Sequence, residues 1–194
     1  MSETTAGSRG SSAGATEDEE RALIRRIACQ ERDAFELLYR IYYRRLMRFL
    51  DRVMRRPQMI EEILDDTMLV VWHKATTFNG ASQVSTWIFA IAYKKAMKAL
   101  NRERRRVLSA VDQEEPGYAP SLETTLIDGE SSSALRRLVA GLSAEQRAVV
   151  ELTYFHGFAY KEIAEILECP VDTVKTRMFH ARRKLRIAFS AQQE

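Results

Sequence analysis

Apolar residues recur every three to four positions through most of this chain, and no stretch alternates apolar and polar residues as a strand does. The spacing predicts helices over about 17–29, 33–54, 57–74 and 85–106, and again from 144 onwards. The clearest case is 33–54, where an apolar stripe runs opposite an arginine-rich face. The stripe consists of Phe35, Leu38, Tyr42, Leu46, Phe49, Leu50 and Val53. The sequence therefore predicts an all-α fold.

Residues 158–185 read as two short helices joined by a tight turn at 168–170. In the first helix we expect Ile163, Ala164 and Leu167 to be buried, and in the second Val174, Met178 and Ala181. Pro170 is suited to the first turn of the second helix, where its missing N–H has no intrahelical partner. Six Lys or Arg residues oppose one Asp between Val171 and Ile187. A helix-turn-helix with a basic second helix is typical of major-groove binding. The alternative is a solvated amphipathic helix in a bundle.

The helix predicted over 85–106, with Ser85 at a plausible N-cap, changes character along its length. Its first half is aromatic, and its second half, from Lys94 to Arg106, carries seven Lys or Arg residues and one Glu. The aromatic residues are Trp87, Phe89 and Tyr93, with Phe78 in the preceding loop. Aromatic rings stack on unpaired bases and cations hold phosphates, so this helix suits single-stranded DNA. Trp87 has the alternative of being a core residue.

The helix predicted over 57–74 presents an acidic surface made of Glu61, Glu62, Asp65 and Asp66. Two interpretations remain open. These acids pair with the arginine face of the preceding helix, or they form a docking surface for a basic protein partner.

Charge and composition divide the 194 residues into segments. We expect a disordered N-terminal arm over 1–16, a first domain over 17–106, a flexible linker over 107–133 and a second domain over 134–188. The linker contains six acids, no Lys or Arg, and two prolines. The net charge is only +3, so segregation of charge, more than its total, indicates a polyanion-binding protein.

Several classes of protein are disfavoured. Cys29 and Cys169 are distant in sequence and are expected to be reduced and buried or half-buried, in a cytoplasmic protein. His and Cys residues show no metal-ligand spacing, and we expect no metal, no cofactor and no membrane span. No catalytic triad or phosphate-binding glycine loop is visible, so we expect no enzyme.

Taken together, these segments resemble the extracytoplasmic-function group of bacterial sigma factors, the smallest sigma-70-type initiation factors. Three stretches carry the resemblance: EEILDDTMLVVWHKA, FNGASQVSTWIFAIAYKKAMKAL and LSAEQRAVVELTYFHGFAYKEIAEILECPVDTVKTRMFHARRKL. They are similar to the family's core-polymerase docking helix, its −10-melting segment and its −35-binding domain, respectively.

The resemblance implies a dissociable RNA polymerase subunit that binds core polymerase, recognises promoter DNA and promotes melting. It also implies an anti-sigma protein as a partner. Core polymerase would be met by Glu61, Glu62, Asp65 and Asp66. The −10 element would be met by Phe78, Asn79, Trp87, Tyr93, Lys94 and Lys98, with the loop 78–82 holding a flipped base. The −35 element would be met by Tyr160, Lys161, Lys175, Thr176, Arg177, Phe179, His180 and Arg182.

Four positions depart from the family pattern. Lys94 and His180 stand where Asn and Arg are frequent, which leaves base preference open. In the docking helix, Asp65 stands in place of Gln and Val70 in place of a basic residue. The rival hypothesis is a helix-turn-helix regulator that binds duplex DNA as a dimer without polymerase.

Overall fold

The computed structural model describes residues 16–111 and 141–190, and all regular structure in these ranges is helical. The helices are α1 (Glu17–Ala28), α2 (Arg32–Met54), α3 (Ile60–Lys74), α4 (Val84–Val111), α5 (Ala144–Tyr154), α6 (Tyr160–Ile166) and α7 (Val171–Ser190). Short 3-10 turns at Pro57–Met59 and Ala75–Thr77 flank α3. The arm at 1–15 and most of the predicted linker lie outside the described residues. None of the helices in the two described ranges is long and apolar enough to cross a bilayer.

Residues 16–111 form the first lobe, in which α2 is the central helix and packs on α1, α3 and α4. The apolar stripe predicted for α2 is confirmed, since Leu38, Tyr42 and Leu46 are fully buried. Helix α1 begins with a capping box made by Thr16 and Glu19. One acid enters this core. Glu20 accepts a hydrogen bond from the Tyr42 hydroxyl, and burial raises the pKa of its carboxyl.

Helix α4 differs from its prediction at both ends. It begins at Val84, so Ser85 is its second residue and the predicted N-cap at Ser85 is wrong. The Glu17 carboxylate instead accepts a hydrogen bond from the Val84 N–H, which has no intrahelical partner. The helix also continues to Val111, through the first residues of the predicted linker. No Gly or Pro interrupts the sequence before Pro116, so nothing in residues 107–111 ends the helix earlier.

Residues 141–190 form the second lobe, a three-helix unit containing the predicted helix-turn-helix. Ser143 caps α5 in a box with Gln146. In α7 the buried residues are the three predicted ones, Val174, Met178 and Ala181. Pro170 lies just before α7, and its carbonyl accepts hydrogen bonds from the N–H groups of the first turn. It therefore precedes the helix, whereas the prediction placed it in the first turn.

The two lobes pack directly against each other, α5 on α2 and α6 on α4. The Arg147 guanidinium donates to the Val53 carbonyl near the end of α2, with Nε at 3.1 Å and Nη2 at 2.6 Å. A cluster of aromatic rings crosses the same interface. The ring centroids of Phe89 and His156 lie 4.8 Å apart, and those of Phe89 and Phe158 lie 5.2 Å apart. The sequence predicted a tether between two domains and gave no sign of this contact.

Candidate nucleic-acid interface

One face of α7 presents the residues expected to meet the −35 element. Lys175, Thr176, Phe179 and His180 are all exposed, opposite the buried stripe of that helix. The Phe179 side chain is 63% exposed, so its ring is accessible to a ligand. Lys175 pairs with Asp172 at 2.9 Å, one turn earlier. The face is therefore cationic and aromatic, and it is open to a ligand.

Of the other residues expected to meet the −35 element, most are half-buried or already hydrogen-bonded within the protein. The Arg182 guanidinium donates to the Tyr154 hydroxyl at 2.6 Å, which ties it to α5. Arg177 is half-buried and donates to the Cys169 sulfur at 3.7 Å, on the side of α7 that faces the first lobe. Lys161 is exposed and Tyr160 is half-buried, near the start of α6.

Most of the residues expected to meet the −10 element share one side of α4. Trp87, Lys94 and Lys98 are separated by seven and four residues, so they lie within roughly 40° of one line along the helix. The Phe78 ring packs on Trp87 with the centroids 5.1 Å apart. Both rings are half-buried, while Asn79 and the two lysines are exposed. Trp87 therefore contacts the core and still presents an edge to solvent.

Tyr93 is not on this face. It is 8% exposed and lies roughly 120° around α4 from Trp87, under the second lobe. Burial raises the pKa of its hydroxyl to about 12, and Arg177 and Cys169 of the second lobe are among its neighbours. The expectation of an exposed, DNA-facing Tyr93 is wrong for this arrangement of the lobes.

Two cations of α4 are already paired. Lys94 contacts Glu168 of the helix-turn-helix turn at 2.8 Å, across the interface between the lobes. Lys95 contacts Asp66 of α3 at 2.9 Å. A carboxylate of the second lobe, that of Glu168, thus pairs with Lys94, a residue expected to bind a DNA phosphate.

The acidic surface of α3 is solvent-facing, with Glu61, Glu62, Asp65 and Asp66 all exposed. Asp65 accepts a hydrogen bond from the Tyr39 hydroxyl at 2.8 Å, and burial raises the pKa of Tyr39 to about 12. Within residues 16–111 and 141–190, no arginine of α2 forms an ion pair with these four acids.

Beside these acids lies a groove of about 320 Å³ lined by Phe35, Tyr39, Met68 and Leu69 together with Asp65 and Asp66. An apolar groove edged by carboxylates fits a basic partner with apolar anchors.

The contact between the lobes buries two titratable groups that the sequence did not single out. The Glu151 and His156 side chains are 6% and 7% exposed, and Glu151 Oε1 lies 3.9 Å from His156 Nε2. Burial raises the pKa of Glu151 to about 7. Burial, together with Arg45 and Arg48 of α2, lowers the pKa of His156 to about 4. Between these values both groups are neutral, so the contact is not an ion pair there.

Two further residues were missed because their partners are distant in sequence. Arg21 and Glu17 of α1 bond to the backbone of residues 80–84, about sixty positions later. The local signals in this region were the capping box at Thr16 and the i,i+4 spacing of Glu17 and Arg21, and neither indicates a contact with residues 80–84. The cysteines also differ from expectation. Cys29 is exposed, because it lies just past the end of α1, whereas Cys169 is half-buried as expected. Among the described residues, no group of three or more His, Cys, Asp or Glu side chains is placed to hold a metal.

Comparison with known proteins identifies the family to which the two lobes are similar. Residues 38–106 match the family described as Sigma-70 region 2, and residues 132–185 match Sigma-70, region 4. The chain is 31% identical over 183 residues to the ECF RNA polymerase sigma factor SigK of Mycobacterium ulcerans, covering 90% of this chain and 95% of that protein. It is 28% identical over 176 residues to the ECF RNA polymerase sigma-E factor of Haemophilus influenzae, covering 86% and 93%.

Two solved structures share the fold. The structure of CnrH in complex with the cytosolic domain of CnrY has a TM-score of 0.65 at 23% identity, covering 90% of this chain and 99% of that one. The structure of the sigma factor RpoE from Bartonella quintana with the anti-sigma factor NepR has a TM-score of 0.63 at 24% identity, covering 80% and 96%. These likenesses support the all-α, two-lobe architecture.

Proposed function

Because the chain belongs to the extracytoplasmic-function group of sigma-70-type RNA polymerase sigma factors, we propose a role in transcription initiation for each of its surfaces. The chain is a sigma factor that acts with core RNA polymerase in promoter recognition. The observation that carries this conclusion is the 31% identity to a named sigma factor over 95% of that protein's length. The assignment of residues to the −10 element, the −35 element and the polymerase is our proposal.

The exposed face of α7 reads the −35 element as duplex DNA. Lys175 and Thr176 lie in the N-terminal half of the second helix of a helix-turn-helix, the part that enters the major groove. Phe179 offers an apolar contact to a thymine methyl, and His180 offers a hydrogen bond to a base edge or a phosphate. The Arg182 guanidinium, held by Tyr154, is placed for phosphate.

The α4 face and the preceding loop capture the melted −10 element. Phe78 and Trp87 supply aromatic surface, each stacked base being worth ~1–3 kcal/mol. Lys94 and Lys98 supply charge for the phosphates. Since these groups bind unpaired bases better than paired ones, binding itself shifts the duplex towards the open state. Flipping one base costs a few kcal/mol, which the stacking and phosphate contacts can offset.

The acidic surface of α3 and its apolar groove dock on core polymerase. The exposed carboxylates steer a basic partner, and Leu69, which is 52% exposed, provides an apolar anchor. In the described ranges none of these four acids pairs with an arginine of α2, and the one ion pair among them is that of Asp66 with Lys95. Glu61, Glu62 and Asp65 form no ion pair in these ranges, which supports docking over pairing with the arginine face.

The packing of the lobes requires a conformational change. The −10 and −35 elements are about 25 base pairs apart, or roughly 85 Å along B-form DNA at 3.4 Å per pair. Two lobes in direct contact cannot reach both. The 29 residues from 112 to 140 have a contour length of at most roughly 100 Å, which permits the separation. We infer that the described arrangement is a closed form that opens when polymerase and promoter are bound. Opening would also free Tyr93, Lys94 and Arg177.

Three points complete the proposal. Transcription initiation factors are not catalytic enzymes in general, and we propose that this chain itself makes and breaks no covalent bond. We propose that it acts in the cytoplasm, where its polymerase is. An anti-sigma protein stays a prediction, because the solved complex with such a partner concerns another sigma factor.

The test is association with core polymerase. Tagged full-length chain mixed with core enzyme of its own bacterium should elute as one complex in size-exclusion chromatography. No association would refute the proposal. It would favour a duplex-binding regulator if the chain then bound DNA as a dimer without polymerase.

A further inference from the structure

The loop 78–82, which would hold the flipped base, has few hydrogen bonds of its own. Apart from bonds to α1, residues 78–82 form two hydrogen bonds: the Phe78 N–H donates to the Ala75 carbonyl, and the Ala81 N–H donates to the Asn79 side chain at 3.0 Å. Gly80 has a φ of +72°, which a residue with a side chain adopts at a cost. A loop with so few bonds of its own needs support from elsewhere to keep one conformation.

That support comes from α1. The Arg21 guanidinium donates to the Ser82 carbonyl at 3.0 Å and to the Gly80 carbonyl at 3.4 Å. Nη2 reaches both carbonyls, Nη1 also contacts that of Gly80, and Nε is left to pair with Glu17. This division of partners among three nitrogens of one planar group is a geometry that the single nitrogen of an ammonium group cannot reproduce. The approach is close, since a Cβ added to Gly80 would lie 2.6 Å from Arg21 Nη1. A side chain at Gly80 would therefore have to adopt a positive φ and would also displace the Arg21 guanidinium.

Glu17 completes the same unit. Its carboxylate pairs with Arg21 Nε at 2.7 Å and accepts the Val84 N–H at 3.1 Å. It thus fixes the arginine and satisfies the first N–H of α4, where a negative charge also suits the helix dipole. Both side chains are about 30% exposed, so the unit is partly shielded from water. Arg21 also lines a cleft of about 360 Å³, formed by α1 together with residues 75–80.

We propose that Glu17 and Arg21 are positioning residues that hold the loop 78–82 in the conformation that captures an unpaired −10 base. The inference rests on the proposed function, and it assigns a role to a helix outside the matched sigma-70 regions, which begin at residue 38. A preformed loop loses less conformational entropy on binding, so the brace raises affinity without touching the DNA.

The experiment uses full-length protein bound to core polymerase. The probe is a fluorescent single-stranded oligonucleotide carrying the non-template −10 sequence of a promoter that this holoenzyme transcribes. Arg21→Ala should weaken its binding by roughly tenfold to a hundredfold, as expected for losing two charge-assisted bonds that order the loop. Binding of core polymerase and of −35 duplex should be unchanged. Arg26→Ala is the matched control, because it removes the same charge from α1 and its partner is Glu31, outside the loop.

Two more variants separate bracing from direct contact. Arg21→Lys keeps the charge but has one nitrogen in place of three, so it cannot hold the two loop carbonyls and Glu17 in the same planar arrangement. It should therefore bind as poorly as Arg21→Ala within a few-fold. Arg21→Lys binding like wild type would overturn the proposal, because charge alone would then suffice. Glu17→Ala should speed hydrogen exchange at the Val84 amide, and unchanged exchange would also count against the brace. Failure of the wild-type holoenzyme itself to bind the probe would refute the proposed function, a separate outcome.

Discussion

Replacing Glu151 by Gln should lock the lobes together, and the effect should grow with pH. In the closed form burial raises the pKa of Glu151 from an ordinary 4.5 to about 7. The closed form therefore holds a proton that the open form releases between these values. Its stability is full below pH 4.5 and falls as the pH rises towards 7. Gln cannot ionise, so the variant escapes this loss.

The size of the effect follows from the pKa difference. At about 1.36 kcal/mol per pKa unit, the difference between 4.5 and about 7 corresponds to roughly 3 kcal/mol at pH 8, or about 300-fold in the closed-to-open ratio. At pH 5 it shrinks to under about 1 kcal/mol. His156 acts in the opposite direction, because burial lowers its pKa from 6.5 to about 4. The wild type should therefore change little between pH 4.5 and 6.5, whereas Glu151→Gln should close further as the pH rises through that range.

Fluorescence energy transfer measures this directly. One dye is placed on Cys29, which is exposed at the end of α1, and the other on Arg183→Cys, an exposed site on α7, with Cys169→Ser to prevent mislabelling. Glu151→Gln should raise transfer at pH 8 and leave it nearly unchanged at pH 5. Glu165→Gln is the control, since it removes an exposed carboxylate from the same lobe. Equal or lower transfer for Glu151→Gln at pH 8 would refute the reasoning.

The remaining predictions concern the other surfaces. Arg147→Ala removes the hydrogen bonds to the Val53 carbonyl, which should destabilise the closed form by roughly 2 kcal/mol. Energy transfer between the same two dyes should therefore fall, and unchanged transfer would show that this contact does not stabilise closure. Lys175→Ala with His180→Ala should weaken −35 duplex binding in a gel-shift assay by about tenfold while core binding stays intact, and equal loss of both would contradict the assignment of α7. Asp65→Arg with Asp66→Arg should weaken binding to core polymerase at least tenfold, measured by size-exclusion chromatography. Unchanged affinity would mean that these acids do not contact the polymerase.

Much of the fold could be predicted because it is encoded locally. The burial of Val174, Met178 and Ala181 follows from helical spacing alone, and the cap at Ser143 follows from residues three apart. The predicted end of α4 at about residue 106 follows from the acid-, Ser-, Pro- and Gly-containing composition of residues 107–133. The helix continues to Val111 because no helix-breaking residue occurs until Pro116.

The sequence predicts which residue types make up the candidate site better than it predicts which of those side chains are exposed. Lys175 and His180 were expected on an open face and lie there. Tyr93 was expected to meet the −10 element and is buried, because a periodicity shows which residues share a face but not which face a second lobe covers. The Arg21 bonds to Gly80 and Ser82 join positions about sixty residues apart, and nothing local in the sequence announces them.

The central claim is that one lobe captures single-stranded DNA and the polymerase while the other reads duplex DNA upstream. Run-off transcription tests it most directly, with purified chain and core enzyme on templates that carry a promoter which core enzyme alone ignores. The account predicts a defined RNA product that is lost when either the −10 or the −35 element is scrambled. If the −10 is supplied already melted, the product should still depend on the acidic surface of α3. No product on any such promoter, or a product indifferent to both elements, would contradict it.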